Sequence, residues 1–140
     1  MLLPDTAGWS NTMSKVLLVE DDLGNRTVIE DMFQFDDVGA ELIVAESGEE
    51  ALCLASDVKP ILILMDIRLP GMDGLEAARA LKADPRTKEV PVWAITAYAR
   101  ATDRDKALAA GCDDYVTKPF VRSELVRKLR AFVASSVKVG

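Results

Sequence analysis

The chain has 140 residues, 49% hydrophobic and 29% charged, with a net charge of −6 and no histidine. That length and balance fit one folded domain able to bury a core without disulfides or a structural metal, and exclude a disordered tail. The missing histidine removes Ser-His and Cys-His catalysis, His-ligated zinc and any phosphohistidine carrier. An acidic chain with no Lys/Arg block is not expected to bind nucleic acid directly, and no apolar run approaches the roughly 18 residues of a membrane span.

The first stretch, Met1 to Ser14, lacks the basic and apolar regions of a secretory signal. It is expected to be a disordered leader (residues 1–14, with Trp9 in it) before a domain over 15–134 and a short tail, 135–140. The first strand is expected at Val16–Val19, ending in Glu20-Asp21-Asp22, where Asp22 is placed as the cap of the first helix. Val28, Ile29, Met32 and Phe33 pair at i, i+4 and predict that helix's buried face. Leu42–Ala45 is the second strand. Ser47-Gly48-Glu49-Glu50 then has the capping-box spacing of a second helix. Ile61–Met65 is apolar at every position, which predicts a strand covered on both faces, as in a parallel sheet. It ends in Asp66. Asp73-Gly74-Leu75-Glu76 repeats the capping spacing, so Asp73 and Gly74 read as helix-starting residues.

Val92–Ile95 runs into Thr96, with Trp93 expected in packing. An Ala-rich helix from about Thr102 to Ala110 ends at Gly111. Tyr115–Thr117 runs into Lys118-Pro119. Val121, Leu125, Leu129 and Phe132 mark the buried face of the last helix, leaving Arg122, Lys128 and Arg130 to solvent. Cys53 and Cys112 lack metal-ligand spacing and read as reduced thiols of a cytoplasmic domain. The order is (βα) five times: an α/β, doubly wound parallel sheet with right-handed crossovers and helices on both faces.

The apolar runs stop at informative places. Glu20 and Asp21, Asp66, Thr96 and Lys118 all follow the carboxyl ends of strands, which in a parallel sheet share one edge, the edge where open α/β sheets bind ligands. Crowded carboxylates stay ionised most readily beside a cation, and hard oxygen ligands suit Mg²⁺, with Mn²⁺ a possible substitute. Asp66 is then both a ligand and a plausible nucleophile, since carboxylates form aspartyl phosphates. The Lys118 ammonium and Thr96 hydroxyl would neutralise phosphoryl oxygens, the main demand of phosphoryl transfer. A cis bond between Lys118 and Pro119 would turn the lysine back toward that pocket; trans is the default.

At these residues the chain resembles the receiver domain of two-component response regulators. The motifs are Val-Leu-Leu-Val-Glu20-Asp21-Asp22, Leu-Met-Asp66-Ile-Arg-Leu-Pro70-Gly-Met-Asp-Gly74, Ile-Thr96-Ala97 and Tyr115-Val-Thr-Lys118-Pro119-Phe120, spread over roughly Lys15 to Ala134. The resemblance implies a flavodoxin-like strand order 2-1-3-4-5, with Asp66 as phosphoacceptor. It implies Asp21 on the metal directly, Glu20 through water, and the backbone carbonyl of Arg68 completing the metal site. Thr96 and Lys118 would bind the phosphoryl oxygens, and Thr96 with Tyr115 would form the switch pair. Arg68 and Tyr98 stand where the family tunes phosphoryl lifetime, and their bulk is expected to screen attacking water. Glu20 departs from the more frequent Asp.

The implied partners are a sensor histidine kinase or histidine phosphotransfer protein and a downstream effector, met as a monomer or weak dimer through the face of the fourth helix, fifth strand and fifth helix. With no output domain expected after the last helix, the signal would pass to another protein. A receiver cut from a larger hybrid kinase remains open. An aspartate-nucleophile phosphatase is disfavoured because Arg68 stands where a second acidic group would act, and arginine cannot serve as the base. A flavin carrier is disfavoured because Glu20-Asp21-Asp22 would repel a phosphate unless a cation intervened. A degenerate receiver that only docks gains no support, since every expected site residue is present.

Overall fold

The computed structural model describes residues 13–69, 71–97 and 101–136. Expectations that fall on residues 1–12, Pro70, Tyr98 and the last four residues lie outside these. Five strands and five helices alternate: β1 (Lys15–Val19), α1 (Leu23–Phe35), β2 (Glu41–Ala45), α2 (Gly48–Val58), β3 (Leu62–Asp66), α3 (Gly74–Ala83), β4 (Val92–Thr96), α4 (Ala101–Ala109), β5 (Asp114–Thr117) and α5 (Arg122–Ser136). All strand pairs are parallel, in the order β2-β1-β3-β4-β5. The fold is thus the flavodoxin-like one expected.

Strand alternation divides the core. Leu17, Val19, Ile63, Met65, Val92 and Ala94 pack against α2, α3 and α4, while Val16, Leu18, Leu62, Leu64, Trp93 and Ile95 pack against α1 and α5. Every residue of β3 and β4 is buried, the price of a central parallel strand being that neither face meets water. Trp93 lies in the second layer, edge-on to Phe132 at 5.3 Å, with the Lys128 ammonium 4.7 Å from its ring centroid.

The helix starts follow local chemistry. The carboxylate of Asp22 accepts the N–H of Asn25, the Ser47 hydroxyl accepts that of Glu50, and Asp73 accepts those of Leu75 and Glu76. Each such cap contributes about 1 kcal/mol by satisfying donors that the first helical turn leaves without partners. The Glu50 carboxylate reaches the N–H of Glu46, one residue earlier than the capping box places it.

Two side-chain expectations need correction. Val28 is 41% exposed, and the buried face of α1 narrows to Ile29 and Met32 with Phe33 at its margin. Val121 precedes α5 and is 55% exposed, while Val126 and Val133 join Leu125 and Leu129 in the core. In α1 the sheet covers a narrower stripe than the apolar content suggests, and in α5 the covered stripe is turned toward Val126 and Val133, because the neighbouring sheet covers only one side of each helix.

Candidate functional site

The carboxyl ends of β1, β3, β4 and β5 bring the predicted residues together. Glu20 extends β1 by donating its N–H to the Ala45 carbonyl at 2.9 Å, and Lys118 extends β5 by donating its N–H to the Thr96 carbonyl at 2.8 Å. Alternation then sets the faces: Glu20 follows Val16 and Leu18, and Asp66 follows Leu62 and Leu64, toward the α1/α5 layer. Thr96 follows Val92 and Ala94 toward the other layer. Glu20, Asp66 and Thr96 are the site's buried members, at 0%, 3% and 5% exposure. Asp21 is exposed at the rim.

Lys118 is the hub. Its Nζ donates to Asp66 Oδ2 at 3.2 Å and stands 3.4 Å from Glu20 Oε1. The Lys118–Pro119 peptide is cis. The other Asp66 oxygen, Oδ1, accepts the N–H of Arg68 at 2.9 Å, and Glu20 Oε2 accepts the N–H of Asp22 at 3.2 Å. Although Lys118 lies within ion-pair range of Glu20 Oε1, its approach is not that of a hydrogen-bond donor. This oxygen is fully buried with no hydrogen-bond partner among the described residues. A buried acceptor left in that condition is costly, and a bound cation would satisfy it.

The donor set fits such an ion. One carboxylate oxygen from each of Glu20, Asp21 and Asp66 lies within 4.8 Å of the others, all hard ligands of the kind Mg²⁺ takes. Burial pushes the Glu20 carboxyl up to about 7, helped by the neighbouring Asp66 carboxylate, against the opposing effects of the Asp22 N–H and Lys118.

A pH dependence follows. Glu20 is raised from an ordinary 4.5 to about 7, so between those values the folded chain holds a proton that the unfolded chain releases. Its contribution to stability is therefore lost as pH rises through that window. Without divalent ions, melts of the native protein and Glu20→Gln should diverge as pH rises from 5 to 8, the native protein losing more stability. Mg²⁺ should restore it at pH 8 and bind progressively more weakly as pH falls below about 7. Parallel melting curves for the two proteins across that range would contradict the assignment.

Two contributors escaped the sequence reading. Gly74, taken there as a helix-starting residue only, packs its Cα against the strand that ends in Asp66. A Cβ built on Gly74 would lie 2.5 Å from Ile67 Cα and 2.9 Å from the Asp66 carbonyl carbon, closer still to the Asp66 carbonyl oxygen. The Gly74 N–H also donates to the Ile67 carbonyl at 3.2 Å. The Asp-Gly pair was the available signal, but capping explained it too readily. Arg104, on α4, holds its guanidinium carbon 5.3 Å from the centroid of the half-buried Tyr115 ring; nothing in the spacing of the two residues announces this. Arg68 is exposed beside Asp66, whereas Tyr98 lies outside the described residues.

Known proteins share this arrangement of strands and helices. The family model for the response regulator receiver domain matches residues 16–130. The polar-differentiation response regulator DivK of Brucella ovis is 36% identical over 121 residues, covering 86% of this chain and 97% of that protein. The phosphate regulon transcriptional regulatory protein PhoB of Pseudomonas aeruginosa is 39% identical over 116 residues, 83% of this chain and 50% of that longer protein. A solved structure from Pseudomonas aeruginosa PAO1, the receiver domain of a sensor histidine kinase with a magnesium ion coordinated in its active site cleft, is 39% identical. It has a TM-score of 0.78 and covers 88% of this chain and 99% of that one. Among the described residues no helix is long and apolar enough to cross a membrane.

Proposed function

The chain belongs to the response regulator receiver domain family, and on that premise we propose that Asp66 accepts a phosphoryl group from a phosphohistidine donor and holds it as a reversible signal. The observation that carries this reading is the buried cluster in which Lys118 reaches both Asp66 and Glu20 while Glu20 Oε1 has no hydrogen-bond donor among the described residues. Such a cluster is costly for folding alone, and its chemistry suits a reaction that adds negative charge beside a cation.

In that reaction an Asp66 carboxylate oxygen forms the new O–P bond as the P–N bond to the donor imidazole breaks, the imidazole leaving with that bond's electrons. Glu20, Asp21, Asp66 and the backbone carbonyl of Arg68 would hold Mg²⁺, which when bound supplies positive charge against the phosphoryl oxygens. Lys118 neutralises a further oxygen, and the Thr96 hydroxyl donates to another. Movement of Thr96 toward the phosphoryl group frees space for Tyr115 to turn inward, away from its contact with Arg104, and alters the face of α4, β5 and α5. A groove there of about 300 Å³, lined by Tyr115, Phe120, Glu124 and Lys128 among others, would receive the effector. The domain catalyses only its own phosphorylation and slow dephosphorylation. Its two free thiols, Cys53 and Cys112, accord with a reducing cytoplasm.

The direct test is incubation of the purified chain with a small acyl phosphate and Mg²⁺. One phosphoryl group per chain, not incorporated when Mg²⁺ is chelated beforehand, labile as an acyl phosphate and mapped to the Asp66 peptide, is expected. Label on another residue, or continuous release of phosphate from phosphomonoesters, would overturn the reading in favour of a different acceptor or a phosphatase.

The lifetime of the phosphorylated state should depend on Arg68 and Tyr98, two bulky residue types at positions two after Asp66 and Thr96. Arg68→Ala and Tyr98→Ala are each expected to speed dephosphorylation about 3- to 10-fold, equivalent to roughly 1 kcal/mol of barrier. Loss of the hydroxylamine-labile label over time measures this, and unchanged decay in both variants would remove the two side chains from that role.

A further inference from the structure

α4 has little of its own to hold it on the sheet. Among its residues 102–109 only Ala107 is buried, and its single methyl offers little apolar area. Each of the other helices buries two or more residues. Three positions before Ala107, and so on the same side of the helix, stands Arg104. It is exposed, and its guanidinium carbon lies 5.3 Å from the centroid of the Tyr115 ring, within the range of a cation–π attraction. That contact ties α4 to β5 where apolar packing is thin.

The register of the strands relates this ring to the site. Tyr115 stands beside Ala94 and Thr117 beside Thr96, and partners in parallel strands share a face. Tyr115 accordingly packs on the same layer as Ala94, one pleat, or about 7 Å, short of Thr96 along the strand direction. The ring is half-buried, with Arg104 against it from the α4 side. A ring turned toward Thr96 leaves the guanidinium behind unless α4 follows it. The two positions of Tyr115 therefore differ in this attraction.

We propose that Arg104 is a latch: its guanidinium holds the Tyr115 ring in the half-exposed position, and α4 on β5, until a phosphoryl group on Asp66 draws the Thr96 hydroxyl away. The inference rests on the signalling reading above and names the residue that sets its balance. An exposed cation–π contact biases an equilibrium between two positions about 2- to 5-fold. Coupling between sites is reciprocal, so whatever Arg104 adds to the outward position a ligand at Asp66 must overcome. Removing the guanidinium should tighten such a ligand by up to the same factor. A cation that only steadied the fold would act with the opposite sign, since damage to α4 does not tighten a ligand at Asp66.

The test uses the full chain labelled with 3-fluorotyrosine, which has only two tyrosines, Tyr98 and Tyr115; Tyr98→Phe assigns the ¹⁹F signals. Beryllofluoride with Mg²⁺ serves as the phosphoryl probe and should move the Tyr115 signal of the native chain. In Arg104→Ala the ligand-free signal should already lie part of the way to that position. The Kd for beryllofluoride should fall about 2- to 5-fold in the same variant. Arg104→Lys, which keeps the cation, should lie closer to the native chain than to Arg104→Ala in both measurements. A native response with signal and Kd unaltered in Arg104→Ala, or with Kd raised, would overturn the latch and leave the signalling reading standing. An Arg104→Lys variant indistinguishable from Arg104→Ala would overturn the role of the charge. No response of Tyr115 in the native chain would overturn the switch and the latch together.

Discussion

Asp66→Asn should abolish phosphoryl incorporation, by more than about 10³-fold, because the amide retains the shape of the side chain but not the nucleophilic oxygen charge. The same change should reshape the electrostatics of the site. Glu20 and Asp66 are both buried and share one cation, Lys118. Removing the Asp66 charge removes one of the causes that hold Glu20 near 7. Asp66→Asn should therefore melt with a weaker dependence on pH between about 5 and 8 than the native protein. It should also lose most of the stabilisation that Mg²⁺ confers, since one of three clustered carboxylates is gone. Labelling, a pH series of melts and a Mg²⁺ titration test the three expectations together. Undiminished labelling would displace Asp66 from the centre of the site. Undiminished stabilisation by Mg²⁺ would instead separate the acceptor from the metal set. The trade is a familiar one: a site held in an electrostatically strained condition for chemistry costs the fold stability.

The largest purely structural effect should come from Gly74→Ala. The added methyl would meet the backbone of Asp66 and Ile67, and backbone cannot rotate aside as a side chain does. Either the start of α3 or the turn after β3 must move. The cost should reach the upper end of overpacking penalties, about 3 kcal/mol, or roughly 10 °C in Tm for a domain of this size. Because the turn carries the Arg68 N–H that holds Asp66 Oδ1, phosphorylation should slow even at temperatures where the variant is folded. A Tm within about 2 °C of the native value would mean that the close approach is easily relaxed. Normal labelling in a folded but destabilised variant would show that the displacement passes into α3 and spares the acceptor.

How legible these features were depended on whether a residue's role was local. The caps at Asp22, Ser47 and Asp73 were readable because a side chain and the N–H two or three residues later are neighbours whatever surrounds them. The burial of β3 was readable because an unbroken apolar run has only covered environments open to it. Val28 and Val121 misled for the opposite reason. An apolar side chain marks a face that can be buried, and only the position of the neighbouring element decides whether it is.

The sequence by itself determined the alternation of strands and helices and, through the positions at which apolar runs end, the membership of one carboxyl-terminal edge: Glu20, Asp21, Asp66, Thr96 and Lys118. Their parallel register follows from connection length and handedness, which are properties of the chain order. Only the tertiary structure decided the terms on which those residues meet. Glu20 is completely buried with an oxygen that has no hydrogen-bond partner among the described residues, Lys118 is shared between two carboxylates, and Gly74 leaves no room beside Asp66. Each of these depends on distances between strands remote in sequence. Charge repulsion, desolvation and steric exclusion vary so steeply with such distances that no local pattern encodes them.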